Sequence, residues 1–265
     1  MTTVTFEPGK LDIGQVLNQT FAVLRRNFPT FFGLALLLVG LPTALIELLR
    51  PPVISDGAAV PEFSLALIGW GLLAIGVTLA TFSILYAALI NATVQDLNGS
   101  KPAFADNLTV GLRNFLPVIV VSLLSSLAIS GGLLLLIVPG VMIACAWCVA
   151  MPAIVVEHTG IRGAFARSAE LTRGHRWPIF GLFLIVIAVS IGIGIVLGIG
   201  LVGAAVVTGG LDAGAAETSP LQIAAEVVIN SLIYMLSATG GAVLYSELRR
   251  LNETASAQGD AVTAD

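Results

Sequence analysis

The sequence predicts an all-α polytopic membrane protein whose six transmembrane helices form three hairpins. Of its 265 residues, 57% are hydrophobic and only 11% are charged, whereas a soluble domain is typically about 45–50% apolar and about 25% charged. The apolar residues are grouped into six runs, at roughly 30–49, 63–90, 116–138, 139–157, 178–207 and 221–246. Each run can cross about 30 Å of hydrocarbon as a helix. A single soluble domain is therefore excluded.

The third and fourth runs meet at Val138-Pro139-Gly140. A Pro-Gly dipeptide favours a turn, and one uninterrupted helix of both runs would be too long for a bilayer. We therefore expect a very tight hairpin at this point.

The orientation follows from the distribution of basic residues. Eleven of the 12 Lys and Arg residues fall in the predicted segments on one side of the membrane, and Arg50 alone falls on the other. Because cytoplasmic loops are enriched in Lys and Arg, we expect an inner-membrane (plasma membrane) protein with both termini in the cytoplasm.

An internal repeat accompanies the predicted hairpins. A shift of 61 residues places Asp96 on Glu157, and Ala103-Phe104-Ala105 on Ala164-Phe165-Ala166. A looser copy precedes these two, so that repeat units cover about 10–90, 96–157 and 157–250 of one transmembrane domain, 1–250. Since each unit begins on the same side, the repeats are parallel. The remaining residues, 251–265, are small, polar and acidic, which predicts a disordered tail.

Each repeat unit is predicted to begin with a cytoplasmic amphipathic helix lying in the membrane interface. The first has Ile13, Leu17, Phe21, Leu24 and Phe28 on one face, at helical spacing. Basic residues in these segments are expected to face anionic lipid headgroups: Arg25, Arg26, Arg113, Arg162, Arg173 and Arg176. Specific lipid recognition and simple anchoring both remain open as roles for these helices.

Motifs of enzymes are missing from the sequence. It contains no HExxH, no Gly-x-Ser-x-Gly and no P-loop, and its net charge of −4 does not favour nucleic-acid binding. His158 and His175 would lie at opposite ends of one helix, too far apart to share a metal ion. We therefore expect no catalytic residue, no metal site and no cofactor.

Two polar residues in the last apolar run are candidates for a cavity. Glu226 lies near its outer end, and Asn230 lies one helical turn deeper on the same face. Polar side chains inside the membrane often mark a transport path, although a pairing with a neighbouring helix would also explain them. Small residues at four-residue spacing, such as Gly194 and Gly198, favour close helix packing and leave a homo-oligomer possible.

The stretch from Pro139 to Trp177 resembles the family called the membrane domain of glycerophosphoryl diester phosphodiesterase, and related six-span bacterial membrane proteins. The similarity rests on a tryptophan and Pro152 within a span and on these positions: Pro139, Gly140, Glu157, Gly160, Ala164, Arg167, Ser168, Leu171, Thr172 and an aromatic residue at 177. The phosphodiesterase domain itself is a separate soluble barrel, whose metal ligands have no counterpart in this chain. The resemblance therefore implies a free-standing membrane domain, and it transfers no catalytic residue.

Together these patterns predict a non-enzymatic membrane protein acting as a scaffold, accessory or regulator at the cytoplasmic face. Its expected partners are anionic membrane lipids, a cytosolic or membrane protein, or a second copy of the chain. The alternative is a small transporter or lipid-handling permease with a cavity between the helical repeats near Asn230 and Glu226.

Overall fold

A computed structural model describes residues 11–49, 65–207 and 220–263, and within these ranges the chain forms only helices and short turns. The α-helices are α1 (Ile13–Ala35), α2 (Leu41–Leu48), α3 (Leu65–Leu97), α4 (Phe104–Leu135), α5 (Ile137–Trp147), α6 (Ala150–Glu157), α7 (Gly160–Leu171), α8 (Arg176–Val207) and α9 (Pro220–Thr263). The all-α class is therefore confirmed. Arg50 and the predicted outer loops lie outside the described residues.

Within the described residues, five helical segments are long and apolar enough to span a membrane. They are Ile13–Leu48, Leu67–Leu97, Phe104–Leu135, Ile137–Glu157 and Ile223–Thr254. The remaining predicted span, 178–207, coincides with α8, whose first part, Arg176–Val189, is a shorter apolar helix. The chain is thus a multipass membrane protein, and the exact number of six spans stays a prediction.

The first candidate span is helical throughout but contains one wide turn. A π-helical turn, Leu36–Gly40, joins α1 to α2, and Pro42 follows it in the first turn of α2. Proline has no N–H to donate and clashes with the carbonyl four residues earlier, which makes such a local rearrangement favourable. Gly40 faces α9 closely, since a Cβ at this position would lie 2.7 Å from Val227 Cγ1.

The link between α4 and α5 is a single extended residue, Leu136 (φ −162°, ψ 141°). The sequence places this turn at Val138-Pro139-Gly140, but Pro139 and Gly140 instead lie in the first turns of α5. Proline is tolerated there because the first N–H groups of a helix have no intrahelical partner. Gly132 and Gly140 allow the two backbones to approach, since a Cβ at Gly140 would lie 2.6 Å from the Leu133 amide nitrogen.

Two clusters of fully buried apolar side chains form the core. One includes Ile179 of α8, Tyr245 of α9 and residues of α3 to α7. The other is formed by α1, the π-helical turn, α3 and α9, and includes Phe31, Leu89 and Met235. Three helices, α1, α3 and α9, contribute to both clusters and so join the two halves of the core.

The three predicted interfacial helices are not all separate elements. Pro29 and Pro117 lie inside α1 and α4, so the first two amphipathic segments run directly into apolar helix. In the third unit, Gly174 (φ +86°) follows the end of α7 and allows the chain to turn before α8 begins. A left-handed glycine is a common helix stop, whereas Pro29 and Pro117 do not stop their helices.

The burial pattern of α4 is inverted relative to that of a soluble amphipathic helix. Its buried positions near the N-terminal end are Asn107, Gly111 and Asn114, while Leu112 and Phe115 are exposed. Gly111 packs against α3, since a Cβ there would lie 2.5 Å from the Ile84 carbonyl oxygen. The apolar side chains of Leu112 and Phe115 therefore face away from the protein core.

Residues 251–263 continue α9 as helix, whereas their composition predicts a disordered tail. Part of the reason is local, because Arg249 Nε donates to Glu253 Oε1 at 2.8 Å, an arrangement of charges four residues apart that stabilises a helix. Further on, the hydroxyl of Thr254 donates to the Arg250 carbonyl at 2.9 Å.

Replacing Gly140 by alanine should lower the stability of the protein by about 1–3 kcal/mol, the usual cost of overpacking. The added Cβ would meet the backbone and side chain of Leu133 at 2.6 Å. Gly131→Ala is the matched control, because a Cβ there meets nothing within 4 Å. Thermal unfolding in detergent should show a lower melting temperature only for Gly140→Ala. Equal melting temperatures for the two variants would contradict the close α4–α5 contact.

Candidate functional site at the polar end

Three carboxylates lie at one end of the helix bundle, which we call the polar end. Asp96 lies at the end of α3, Glu157 is the last residue of α6, and Glu247 lies in α9. Their side chains are only 11%, 18% and 10% exposed. Each accepts a hydrogen bond from a helix other than its own, so together they connect the helices at this end.

Glu157 is the meeting point of three helices. Its Oε1 accepts a hydrogen bond from Arg167 Nε of α7 at 3.0 Å and another from the Tyr245 hydroxyl of α9 at 2.7 Å. A partly buried carboxylate needs such donors, because an unpaired charge in a low-dielectric environment is costly. The side chain therefore holds α6, α7 and α9 together.

Arg167 is held by two acidic groups. Besides its bond to Glu157, its Nη1 donates to Glu170 Oε2 at 3.1 Å. Burial alone would lower the pKa of Arg167, but the hydrogen bonds and negative charges of Glu157 and Glu170 raise it above its ordinary value. The guanidinium therefore stays charged as a fixed partner of Glu157.

A break between α5 and α6 is bridged by two hydroxyls of α7. The helix is interrupted at Cys148 and Val149, as expected from Pro152, whose ring displaces the carbonyl four residues before it. The Ala146 carbonyl accepts hydrogen bonds from Ser168 Oγ at 2.8 Å and from Thr172 Oγ1 at 3.3 Å. These bonds satisfy a buried backbone acceptor and attach α7 to the interrupted helix.

Glu247 and Asp96 make equivalent connections to α1. Glu247 Oε1 accepts from Gln19 Nε2 at 3.1 Å, while its Oε2 accepts from Arg250 Nη2 at 2.8 Å. Asp96 pairs with Arg26 and accepts from Asn27 Nδ2 at 2.8 Å. At the polar end, α1 is thus joined to both α3 and α9.

The family-motif positions therefore have structural roles. Glu157, Arg167 and Ser168 belong to the contacts around α7, and Gly140 lies at the close α4–α5 approach, next to Pro139. Gly160 has φ +75° and follows His158, which has φ +50°. The turn between α6 and α7 therefore needs left-handed backbone at two positions, one of which is occupied by glycine, the residue that adopts it most readily.

The predicted headgroup-facing residues are mostly exposed. Arg25, Arg26, Arg113, Arg162 and Arg173 are exposed, whereas Arg176 is half-buried and its Nε atom is buried without a hydrogen-bond partner. Arg26 also has an internal role, since it pairs with Asp96.

The predicted cavity at Asn230 and Glu226 stays a prediction. Asn230 is half-buried, and the side chain of Glu226 lies outside the described residues. Sequence reasoning missed Ser231 and Thr239, whose buried hydroxyls have no hydrogen-bond partner. It also missed Gln19 and Tyr245, which donate hydrogen bonds to Glu247 and Glu157. The only sequence signal for them is their position at helical spacing from other polar residues of α1 and α9.

Among the described residues, no group of three or more His, Cys, Asp or Glu side chains could hold a metal ion. The contacts at the polar end instead join helices and leave basic side chains exposed around them.

Comparison with known proteins gives one match. The family described as the membrane domain of glycerophosphoryl diester phosphodiesterase matches residues 115–243, slightly less than half of the chain. The match includes the residues on which the resemblance rests, and it confirms that resemblance. No curated protein and no solved structure matches the chain.

Replacing Ser168 by alanine should lower the free energy of unfolding by about 1 kcal/mol, because it removes one hydrogen bond from the buried Ala146 carbonyl. The double variant with Thr172→Val should lose about 2 kcal/mol, since the single hydroxyl hydrogen of Thr172 is shared between the Ser168 carbonyl at 2.9 Å and the Ala146 carbonyl at 3.3 Å. Ser126→Ala is the control, because Ser126 makes a similar bond to the Leu123 carbonyl at an exposed site. The free energy of unfolding is measured from unfolding curves in detergent. An equally small decrease for Ser168→Ala and Ser126→Ala would contradict this role.

Proposed function

We propose that this protein, whose residues 115–243 match the family described as the membrane domain of glycerophosphoryl diester phosphodiesterase, is a non-catalytic inner-membrane scaffold. In this proposal, the polar end faces the cytoplasm and presents a rigid basic surface to the headgroups of anionic lipids. The phosphodiesterase activity in the family name belongs to a separate domain and is not part of the proposal.

The observation that carries the proposal is the unequal exposure of charges at the polar end. Carboxylates of Asp96, Glu157 and Glu247 are directed into internal contacts. Eight basic residues of the described chain remain exposed there: Arg25, Arg26, Lys101, Arg113, Arg162, Arg173, Arg249 and Arg250. Four acidic residues are exposed at the same end: Asp12, Asp106, Glu170 and Glu253. The exposed surface is therefore basic although the whole chain has a net charge of −4.

A basic surface next to apolar helices is suited to an anionic leaflet. Each Lys or Arg near such a surface contributes about 1 kcal/mol of attraction. Rigidity matters as well, because the arginines are presented by helices whose ends are tied together at Glu157 and Glu247. The same surface could orient a cytosolic protein, but lipid is the partner that is always within reach of a membrane helix.

The lipid test compares native membrane patches extracted in polymer nanodiscs. Around the wild-type chain, we expect phosphatidylglycerol to be enriched over the bulk membrane. The variant Arg25→Gln/Arg113→Gln/Arg162→Gln/Arg173→Gln should lose this enrichment, because four exposed charges are removed without touching the internal contacts. Lipid mass spectrometry of the extracted patches measures the ratio directly.

The matched control neutralises exposed acids instead: Asp12→Asn/Asp106→Asn/Glu253→Gln should keep or increase the enrichment. Equal enrichment in the arginine variant and the wild type would overturn the proposal. Cysteine labelling tests the orientation separately. In a background with Cys145→Ala and Cys148→Ala, Arg162→Cys should react with an impermeant maleimide in inside-out vesicles but not in intact cells, and the reverse result would also overturn it.

A further inference from the structure

A cleft of about 380 Å³ opens at the polar end, beside α1 and the loop between α3 and α4. Its lining residues are Arg26, Asp96, Leu97, Gly99, Ser100 and Lys101. Small-molecule sites typically have volumes of about 300–1,000 Å³, so the cleft can accept a group of the size of a phospholipid headgroup.

The N–H groups of Gly99 and Ser100 are already bonded within the chain, which leaves the side chains of the loop as its main donors to a ligand. Gly99 has φ +79° and turns the chain after α3. Its N–H donates to the Asp96 carbonyl at 3.0 Å, and the N–H of Ser100 donates to the Gln95 carbonyl at 2.9 Å. Recognition in the cleft therefore depends on the charged side chains and the hydroxyl of Ser100.

The charged groups have unused hydrogen-bonding capacity. Arg26 donates to Asp96 through Nη2, one of five N–H groups that a guanidinium carries, and its side chain is 58% exposed. Each oxygen of Asp96 accepts one bond, from Arg26 or Asn27, and has a second lone pair. With exposed Lys101, the cleft therefore offers two cations and one carboxylate at its wall.

The position of the cleft is that of a membrane interface. Leu97 ends one candidate span, and another begins at Phe104, just beyond the loop. On α1, Arg26 directly precedes the apolar part of the first candidate span. A lipid whose acyl chains lie along these helices would place its headgroup at this level.

We propose that this cleft binds the headgroup of phosphatidylethanolamine. The phosphate contacts Arg26 and Lys101, and the ammonium group donates to Asp96. This inference rests on the proposed function in placing the polar end at a lipid surface, but it assigns one site and one headgroup.

Ethanolamine is favoured over other headgroups by the carboxylate in the wall. A choline headgroup carries the same charge but has no N–H to donate. A glycerol headgroup can donate hydroxyls but has no positive charge to complement Asp96. Charge-assisted hydrogen bonds are about twice as strong as neutral ones, so the ammonium group satisfies this site best.

The experiment is native mass spectrometry of the delipidated full-length protein with equimolar dioleoyl phosphatidylethanolamine, phosphatidylglycerol and phosphatidylcholine. Wild type should retain phosphatidylethanolamine about tenfold more than phosphatidylcholine, equivalent to about 1.4 kcal/mol. Lys101→Ala should weaken retention several-fold, and Asp96→Asn should remove the preference over phosphatidylcholine. Arg113→Ala is the control, since it removes an exposed arginine outside the cleft lining.

Equal effects of Lys101→Ala and Arg113→Ala would overturn the assignment, even if Asp96→Asn failed to fold. Displacement of the lipid by an equal concentration of soluble phosphoethanolamine would overturn the assignment to a lipid. A preference for phosphatidylglycerol that all basic residues share would overturn the cleft assignment and leave the proposed function intact. The proposed function is tested separately, by the loss of phosphatidylglycerol enrichment in the variant that replaces four arginines by glutamine.

Discussion

The hydrogen bond from Tyr245 to Glu157 joins the last helix of the chain to the region that carries the family motif. Glu157 is also bound by Arg167, so that one carboxylate oxygen fixes the relative positions of α6, α7 and α9. Two residues further along α9, Glu247 is bound by Gln19 of α1. Residues two apart on a helix point to nearly opposite sides, and α9 therefore connects α1 on one side with α6 and α7 on the other. The basic surface and the cleft both depend on this connection, because it determines where the ends of the helices lie.

In a membrane, buried polar groups need partners within the protein and apolar side chains can face lipid. This chain buries polar groups in hydrogen-bonded pairs and exposes apolar side chains. Asn91 and Asn107, for example, are bonded to one another at 2.8 Å between α3 and α4, while Leu112 faces outward. At a break in a helix, the exposed backbone groups likewise find hydrogen-bond partners within the protein. At Pro152 the interruption leaves the Ala146 carbonyl to the hydroxyls of α7, which agrees with the rule that irregular backbone at membrane depth needs partners from the protein.

Helical class, membrane character and the resemblance to a family could be predicted from the sequence because they depend on composition, run length and a short motif. The contacts could not be predicted, since they depend on which face each helix turns inward. In α4, the sequence pattern shows which residues are apolar, but it does not show that Asn107, Gly111 and Asn114 are the ones that pack inward. Pro29 and Pro117 lie inside α1 and α4 without ending them, because neighbouring groups can accommodate a proline within a membrane helix. Glu157, Arg167 and Ser168 were identified as motif positions, whereas Tyr245 and Gln19 lie far away in sequence and were missed.

The most direct test of this account is a double-mutant cycle between Tyr245→Phe and Glu157→Gln, with the free energy of unfolding measured by detergent titration. If the hydrogen bond holds α9 to α6, the two substitutions should couple by about 1 kcal/mol, because either one alone removes the same interaction. A pair on the exposed surface, Arg249→Gln with Glu253→Gln, should couple by less than about 0.5 kcal/mol. Additive effects of Tyr245→Phe and Glu157→Gln, within about 0.3 kcal/mol, would contradict the central role assigned to this contact.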